Sequence, residues 1–484
     1  MKRYTLLSAL LVAGTLAGCA DVAGPAATAA PRSPAHSLAP GNGQHVVVFK
    51  GNGIPAGFAA QVAALGGTVT FAHAGVGFAI VSGLGDAAAA QVGGMGGVSG
   101  VQADEVFQVE SPMAAAEAGL DLVAQSQADP TTAARYGFQW NMRLINADDA
   151  WAAGKLGSPG VTVAILDSGL DYDAPDLNGL VDLSRSASFV PSDDAITAAY
   201  FPNRHPINDY NGHGTNVATQ VSSKAVALAG VTSRTTLIGV KVLGANNFGS
   251  LAGVLAGITY AADQDADIAN LSLGGGFTKA GNGAFVGLIN RTLAYANRQG
   301  MLVVVSAGNG ASDLDHDGNT AVQYCGAPHV VCVSSVGPAT GMLNQDAPAF
   351  YTNFGRSAIS VAAPGGNADA ANGFPASARP WGSDFASRVW SLCAKYVIAG
   401  YTGTGAPILT PCAAGNRLNG LVGTSQATPH VTGLAALLIA EHGNRNQPAA
   451  VKHAIERSAV DLGATSTDPY YGRGRIDVAR ALGL

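Results

Sequence analysis

The 484-residue chain has few charged residues and no cluster of basic ones. Only 12% of the residues are charged, the formal net charge is −6, and the sequence contains no run of lysine or arginine. Because binding to nucleic acid depends on a concentrated basic face, this composition argues against a nucleic-acid partner. Hydrophobic residues make up 48% of the chain, which is enough for a large buried core.

The apolar stretch at the N-terminus is too short to cross a membrane. It runs from Leu6 to Leu16, behind Lys2 and Arg3, whereas a membrane-spanning helix needs about 20 apolar residues. Such a stretch is typical of an export signal, so the protein is predicted to be secreted or held at the cell envelope. The signal ends in Leu16-Ala17-Gly18-Cys19, which resembles a bacterial lipobox and predicts a lipid on Cys19. A cleaved signal peptide with an incidental cysteine is the alternative.

Cysteine is also scarce, and only four cysteines follow the signal. An even number of cysteines in an exported protein predicts two disulfides, for which the sequence allows three pairings. We expect the pairing of sequence neighbours, Cys325–Cys332 and Cys393–Cys412, because it closes short loops. A metal site is disfavoured, since no two of these cysteines have the C-x-x-C spacing.

The predicted elements of residues 44–110 follow the order β-α-β-β-α-β, which is typical of a small ferredoxin-like α+β domain. We refer to this range as the N-terminal module. Residues 1–19 are the predicted signal, and residues 20–43, rich in Ala, Pro and Ser, are a predicted linker. Residues 111–138 are polar and Ala-rich without a clear period, and they are predicted to be a second linker.

From residue 139 to residue 484, apolar runs alternate with helical stretches. The runs are Val161–Leu166, Leu237–Leu243, Ile268–Leu273, Leu302–Ser306 and Val330–Val336. Continuous apolar runs are typical of parallel strands that are buried on both faces. The alternation predicts an α/β domain with a doubly wound, mostly parallel sheet. Residues 181–210 and 366–419 are rich in Pro, Gly, Asn and Ser and are predicted to be surface insertions.

Three reactive side chains stand beside glycines in this domain. Asp167 follows a predicted strand, His213 lies between two glycines, and Ser425 opens an apolar helix. In an open α/β sheet, the C-terminal ends of the strands and the N-termini of the following helices converge on one crevice. A serine hydroxyl becomes a good nucleophile when an imidazole takes its proton and a carboxylate holds that imidazole. Singly, the three residues could be a helix cap, a structural histidine and an N-cap, so the prediction of a catalytic triad depends on their combination.

Four segments resemble the catalytic blocks of the subtilisin family. They are Asp167-Ser168-Gly169, Asn211-Gly212-His213-Gly214-Thr215, Ser306-Ala307-Gly308-Asn309 and the segment from Gly423 to Val431. The order Asp, His, Ser is that of subtilisin. The resemblance runs from about Trp140 to the last residue and implies a subtilisin-like serine endopeptidase that forms an acyl-enzyme on Ser425. Asn309 would complete the oxyanion hole, and Gln426 departs from the family, in which Met usually follows the nucleophile.

The resemblance also implies a substrate cleft and an inhibitor. The residues expected to bind an extended protein or peptide substrate are Gly249, Ser250, Leu251, Ser272, Leu273, Gly274, Ala307 and Gly308. The N-terminal module looks like the family's inhibitory propeptide, which is cut away within residues 111–138 to release a monomeric enzyme. His430, inside the helix that follows Ser425, is interpreted as a packing residue and not as a second base.

One acidic segment of the sequence is a candidate calcium loop. The segment from Asp313 to Asn319 begins with the D-x-D-x-D-G pattern of a calcium loop. The candidate ligands are Asp313, Asp315, Asp317 and Asn319. Tyr324 stands where a bidentate glutamate is expected, so a solvated acidic turn is the competing interpretation. The sequence thus leaves a structural calcium ion open and predicts no cofactor for the chemistry.

Two other functions fit the sequence less well. A serine esterase of the α/β-hydrolase type would need a G-x-S-x-G elbow and the order Ser, Asp, His, whereas Ala427 replaces the second glycine here and the serine comes last. A non-catalytic surface lipoprotein would be expected to have lost catalytic residues, and all of them are present.

Overall fold

The computed structural model describes residues 43–109, 116–119, 126–322, 324–339, 344–367, 387–410, 417–443 and 445–484. The predicted signal, Cys19 and nearly all of the linker 20–43 lie outside these ranges. Among the described residues, no helix is both long enough and apolar enough to cross a membrane.

The N-terminal module is an antiparallel sheet with two helices. Its elements are β1 (Gln44–Phe49), α1 (Phe58–Ala64), β2 (Thr68–His73), β3 (Phe78–Ser82), α2 (Asp86–Gly93) and β4 (Val98–Ala103). The strand order β2-β3-β1-β4 has the topology expected of a ferredoxin-like domain. Alternate residues of β1 and β3 face opposite sides, so one face packs on α1 and α2 and the other packs on the rest of the chain.

The segment after β4 departs from the sequence prediction. The predicted strand Val98–Val109 is interrupted, because β5 (Val106–Gln108) leaves the module's sheet and pairs elsewhere. The predicted linker contains β6 (Ala116–Gly119) and two short 3-10 turns, Pro130–Thr132 and Tyr136–Phe138. The helices α3 (Trp140–Leu144) and α4 (Ala147–Ala152) follow.

The larger part of the chain is built around one eight-stranded sheet. Its strands are β7 (Thr162–Asp167), β8 (Ala187–Ser188), β9 (Thr236–Lys241), β11 (Ile268–Leu271), β13 (Leu302–Ser306), β15 (Val330–Ala339), β16 (Asn344–Pro348) and β17 (Val361–Pro364), and β10 (Phe248–Ser250) lies outside it. The order is β16-β15-β13-β11-β7-β9-β8, and β17 also pairs with β15. All neighbours are parallel except β15 and β16. This confirms the predicted doubly wound, mostly parallel fold.

Helices cover both faces of this sheet. They are α5 (Pro191–Tyr200), α6 (His213–Val221), α7 (Leu251–Asp263), α8 (Gly283–Arg298), α9 (Thr424–His442), α10 (Pro448–Ser458) and α11 (Val478–Ala481). The core on one face joins α7 and α8 to the N-terminal module, and the core on the other face joins α6, α9 and α10. β7 lies between β9 on one side and β11 on the other, so the strand order reverses at β7. α/β folds bind their ligands at the C-terminal ends of the strands at such a point.

The two predicted surface insertions are partly buried. In the first, β8 extends the main sheet and Asp193 is only 3% exposed. In the second, β18 (Val389–Leu392) pairs with β21 (Arg417–Leu421), which also pairs with β6, and Trp390 is fully buried. Shorter pairs are formed by β12 (Gly276–Thr278) with β14 (Thr320–Val322) and by β19 (Ile398–Tyr401) with β20 (Pro407–Leu409). A composition rich in Pro, Gly, Asn and Ser therefore did not place these two segments wholly on the surface.

One predicted disulfide is confirmed. Cys325 and Cys332 are bonded, with their Cα atoms 5.1 Å apart. Cys393 is also held in a disulfide, but Cys412, its predicted partner, lies outside the described residues.

Candidate active site

Asp167 and His213 are joined by a hydrogen bond between buried side chains. Asp167 is the last residue of β7, and His213 is the first residue of α6. Nδ1 of His213 lies 2.7 Å from Oδ1 of Asp167, and the side chains are 2% and 0% exposed, respectively. Because a carboxylate only accepts hydrogen bonds, Nδ1 carries the proton and Nε2 is the nitrogen that can accept one.

The glycine after His213 allows this close approach. A methyl group on Gly214 would lie 2.2 Å from the carbonyl oxygen of Gly169 and 3.2 Å from Cβ of Asp167. Any larger residue at position 214 would therefore push the segment that carries the histidine away from the segment that carries the aspartate.

Burial and neighbouring charges act on the pKa of His213 in opposite directions. Burial lowers this pKa, whereas the charge and hydrogen bond of Asp167 and the charge of Asp209 raise it, and the net result is a raised pKa. A raised pKa makes the neutral ring a stronger proton acceptor. Nε2 of His213 has no hydrogen-bond partner among the described residues, so it can take a proton from an incoming group.

Ser425 is the second residue of α9, which packs against α6. Its hydroxyl donates a hydrogen bond to the backbone carbonyl of Ser272 at 3.1 Å, and the Ser272 hydroxyl donates to the carbonyl of Ser425 at 2.8 Å. The bond from Ser425 to His213 that the sequence predicts is therefore not formed in this state. Catalytic hydrogen bonds are often completed only when substrate binds, and rotation about χ1 would redirect the hydroxyl.

The Asn309 side chain is oriented by the residue that precedes Ser425. Its Oδ1 accepts hydrogen bonds from the backbone N–H and the hydroxyl of Thr424, at 2.9 and 2.8 Å, so the Nδ2 donor points elsewhere. A methyl group on Gly423 would lie 3.6 Å from Nδ2 of Asn309 and 3.7 Å from the backbone nitrogen of Ser425. The two nitrogens thus lie on the same side of Gly423, as the two donors of an oxyanion hole must.

His430 is a packing residue, as the sequence predicts. It is fully buried, and burial lowers its pKa to about 4 although backbone hydrogen bonds oppose this shift. Its Nδ1–H donates to the backbone carbonyl of Gln426 at 2.8 Å, and its Nε2 accepts from the amide of Asn141 at 2.8 Å. Both ring nitrogens therefore already have hydrogen-bond partners.

The Gln426 side chain is buried, and no described residue forms a hydrogen bond with its amide. It is 0% exposed, and neither atom of its amide has a partner among the described residues. A methyl group on Gly423 would lie only 2.9 Å from its Oε1. A buried amide without a partner is destabilising, whereas a methionine thioether could occupy the same space at no such cost.

The predicted substrate strand is paired with the N-terminal module. β10, which contains Gly249 and Ser250, forms an antiparallel pair with β5. The backbone N–H of Leu251 donates to the carbonyl of Glu105 at 2.8 Å. The Phe107 side chain is 5% exposed, and a methyl group on Gly249 would lie 3.1 Å from its ring. A strand of the chain itself therefore occupies the edge that the sequence assigned to an extended substrate.

The other predicted cleft residues lie around Ser425 and Asn309. Ser272 exchanges two hydrogen bonds with Ser425, as described above, and the carbonyl of Leu273 accepts from the Ser306 hydroxyl at 3.3 Å. Gly308 has φ = 98° and donates its N–H to the Thr424 hydroxyl at 3.1 Å. The remaining two, Gly274 and Ala307, directly follow Leu273 and precede Gly308 in the chain.

The candidate calcium ligands do not converge on one point. Asp313 accepts a hydrogen bond from His316, Asp315 from the backbone N–H of Ser357, Asp317 from Lys279 at 2.6 Å, and Asn319 from the backbone N–H of Ala280. In the part of the chain that the structure describes, no three His, Cys, Asp or Glu side chains are arranged to hold a metal ion. Calcium binding by this loop therefore stays a prediction from sequence.

Three buried polar residues beside the candidate triad were missed from the sequence. Ser168, Asp209 and Lys241 are each 0% exposed and lie next to Asp167 and His213 in the structure. A signal was available for the lysine, because a single charged residue within a predicted buried strand requires buried partners.

Comparisons with known proteins identify close likenesses. The subtilase family matches residues 158–474. The thermophilic serine proteinase of Bacillus sp. (strain AK1) is 29% identical over 349 residues, covering 72% of this chain and 67% of that protein. Thermitase of Thermoactinomyces vulgaris is 30% identical over 349 residues, covering 71% and 95%. The crystal structure of an epidermin leader peptide processing serine protease from Staphylococcus aureus shares the fold, with a TM-score of 0.69 at 19% identity, covering 91% and 98%.

Replacing Gln426 with methionine is expected to stabilise the fold. Gln426→Met removes two buried polar atoms without partners and keeps the side-chain length, so the free energy of unfolding should rise by about 1–2 kcal/mol. Denaturant unfolding of the purified protein measures this change.

Gln139→Met is the matched control. Both atoms of the buried Gln139 amide are hydrogen-bonded to the backbone of Ala229 at 2.8 Å, so this variant should lose about 2 kcal/mol. A loss of stability in Gln426→Met as well would mean that the Gln426 amide has a partner in solution.

Proposed function

Because the chain belongs to the subtilase family and is a subtilisin-like serine protease, we propose that it cuts peptide bonds through a triad of Asp167, His213 and Ser425. Its substrates are proteins or extended peptides. The observation that carries this proposal is the tautomer of His213, whose Nδ1–H is held by Asp167 while Nε2 is left without a partner among the described residues.

The proposed reaction has two halves. Ser425 Oγ attacks the carbonyl carbon of the peptide bond as its proton passes to Nε2 of His213. The tetrahedral intermediate then collapses, the C–N bond breaks, and His213 returns the proton to the leaving amine. A water molecule attacks the acyl-enzyme with His213 again as base, which releases the acid and restores Ser425. Asp167 stays ionised and stabilises the imidazolium in both halves.

Two donors would stabilise the oxyanion. They are the amide Nδ2 of Asn309 and the backbone N–H of Ser425, and they are supported by the way Thr424 orients Asn309. Both are set before the negative charge develops, so little reorganisation is required during the reaction. Apart from the attacking water, the proposed chemistry uses only groups of the protein.

The N-terminal module is proposed to act as an inhibitory propeptide. Support comes from β5, which lies on β10 as an antiparallel strand, the usual way in which an extended peptide is bound at a sheet edge. Asp104 adds a contact by accepting a hydrogen bond from the backbone N–H of Ala252 in the first turn of α7. Cleavage within residues 111–138 would then separate the module from the catalytic domain, which would act as a monomer.

Removing the nucleophile tests both parts of this proposal. Ser425→Ala should abolish peptide hydrolysis and leave the precursor uncut within residues 111–138, because the proposed nucleophile is lost. Mass spectrometry of the purified protein and a casein digestion assay are the measurements. Ser184→Ala, at an exposed serine, should mature and digest casein normally. Normal processing of Ser425→Ala would show that another protease performs the cut.

Removing the side-chain oxyanion donor tests the assignment of Asn309. Asn309→Ala should lower kcat by about 100- to 1000-fold with little change in KM, the range known for the corresponding donor in subtilisin. Steady-state kinetics on a chromogenic peptide measures the effect, with Asn344→Ala at an exposed position as the control. An unchanged kcat would remove Asn309 from the proposed mechanism.

We also propose that the protein is exported and that a lipid on Cys19 anchors the precursor. Because Cys19 precedes the N-terminal module, maturation should release the catalytic domain from the membrane. Cell fractionation is expected to find the precursor with membranes and the activity outside them, and Cys19→Ser should release the precursor too. Mature activity that stays in the membrane fraction would contradict this arrangement.

A further inference from the structure

Asp209 is a second buried carboxylate beside the candidate triad. It is 0% exposed, and its two oxygens accept five hydrogen bonds between 2.6 and 3.0 Å. The donors are the Ser168 hydroxyl, the backbone N–H groups of Asn211, Gly212 and Thr215, and the Thr215 hydroxyl. Four of these five donors belong to the turn that carries His213 and to the first turn of α6, so the carboxylate holds that turn in one conformation.

The fifth donor connects this carboxylate to the segment of Asp167. The Ser168 hydroxyl donates its only proton to Asp209 at 2.9 Å and accepts from the backbone N–H of Gly214 at 2.9 Å. Ser168 directly follows Asp167, and Gly214 directly follows His213. A single hydroxyl group therefore ties together the two peptide segments whose separation sets the hydrogen bond between Asp167 and His213.

Lys241 makes a second connection between the same two segments. It is 0% exposed, and its ammonium group donates to the backbone carbonyls of Ser168 and Asn208 at 2.8 Å each. Asp193 of α5 lies 2.9 Å from the same nitrogen and supplies the counter-charge. The three contacts use the three N–H donors of a lysine, and two of them hold residues next to Asp167 and Asp209.

We infer that Asp209 is a positioning residue for catalysis: through Ser168 and the N-terminal turn of α6 it sets the geometry of the Asp167–His213 pair and places a second negative charge near the imidazole. Lys241, paired with Asp193, supports the same geometry by binding the backbone carbonyls of Ser168 and Asn208. The inference rests on the proposed function, since it assumes that His213 is the base.

The charge of Asp209 has a consequence separate from its hydrogen bonds. The charged groups that act on His213 are Asp167 at the end of β7 and Asp209 before α6. Lys241 at the end of β9 binds the carbonyl of Ser168, which lies between them, and Asp193 balances its charge. The charges of Asp167 and Asp209 both raise the pKa of the imidazole. They also stabilise the imidazolium that forms during the reaction. Removing one negative charge should therefore lower the pKa of His213 and slow catalysis together.

The test is Asp209→Asn, which keeps the side-chain shape and removes the charge. We expect kcat to fall about 10- to 100-fold with KM within twofold, the range typical of a lost charged hydrogen bond. The base acts only when neutral, so kcat/KM rises with pH as His213 loses its proton. A lowered pKa should shift this acid limb to lower pH. An acid limb that stays in place, or a loss of activity that only follows the fraction unfolded, would overturn the inference.

Two further variants separate the roles. Ser168→Ala keeps the charge of Asp209 but cuts the bridge, so kcat should fall by about tenfold without a comparable shift of the acid limb; an unchanged kcat would reject the bridge. Asp182→Asn is the matched control, because Asp182 also accepts hydrogen bonds from the residue two positions on but lies where β9 begins, at the opposite end of the sheet. It should leave both kcat and the acid limb unchanged.

An NMR titration makes the result independent of turnover. The pKa of His213 is measured in Ser425→Ala with and without Asp209→Asn, and the second change should lower it. An equal pKa in the two proteins would overturn the inference even if activity falls. Absence of hydrolysis by the unmodified mature protein would instead reject the proposed function and leave the titration to judge the role of Asp209.

Discussion

The hydrogen bond between the buried side chains of Asp167 and His213 is the constraint on which the rest of this structure depends. At 2.7 Å it sets the tautomer of the imidazole, and so decides which nitrogen is left to accept a proton. A carboxylate taken out of water needs hydrogen bonds and nearby positive charge. The structure supplies the backbone N–H of Ser168 as a donor to Asp167, and the ammonium of Lys241 binds the carbonyl of the same Ser168. The Asp167–His213 pair is therefore one part of a larger buried polar network.

That network extends into the first of the two predicted surface insertions. The segment 181–210 has the composition of a surface loop, yet it contributes β8 to the main sheet and Asp193 to the ammonium of Lys241. A fully buried lysine is costly unless a counter-charge accompanies it. The insertion is thus coupled to the site through charge, although it contributes no residue to the candidate triad.

The same backbone edge is suited to two occupants. β10 accepts β5 of the N-terminal module, and an extended substrate would use the same N–H and C=O groups. Backbone pairing depends little on side-chain identity. Competition between β5 and a substrate strand would therefore depend on side chains such as Phe107 and on contacts away from the candidate triad. One such contact is the hydrogen bond from Ala252 to Asp104 at the start of α7. An inhibitor that remains attached to the chain gains from its high effective concentration.

The sequence by itself determined the architecture and the identity of the candidate triad. A buried strand is visible in the sequence as an apolar run such as Leu302–Ser306. Asp, His and Ser beside glycines are also local patterns, so they too can be read from the sequence. Only the tertiary structure decided that β5 leaves its sheet and that Ser425 bonds Ser272 instead of His213. Within the described part of the chain, it also keeps the carboxylates of the acidic loop apart and gives the Gln426 amide no partner. Each of these depends on atoms from segments far apart in the chain. Hydrogen bonds are decided by tenths of an ångström between such segments, and no periodicity along the chain records those distances.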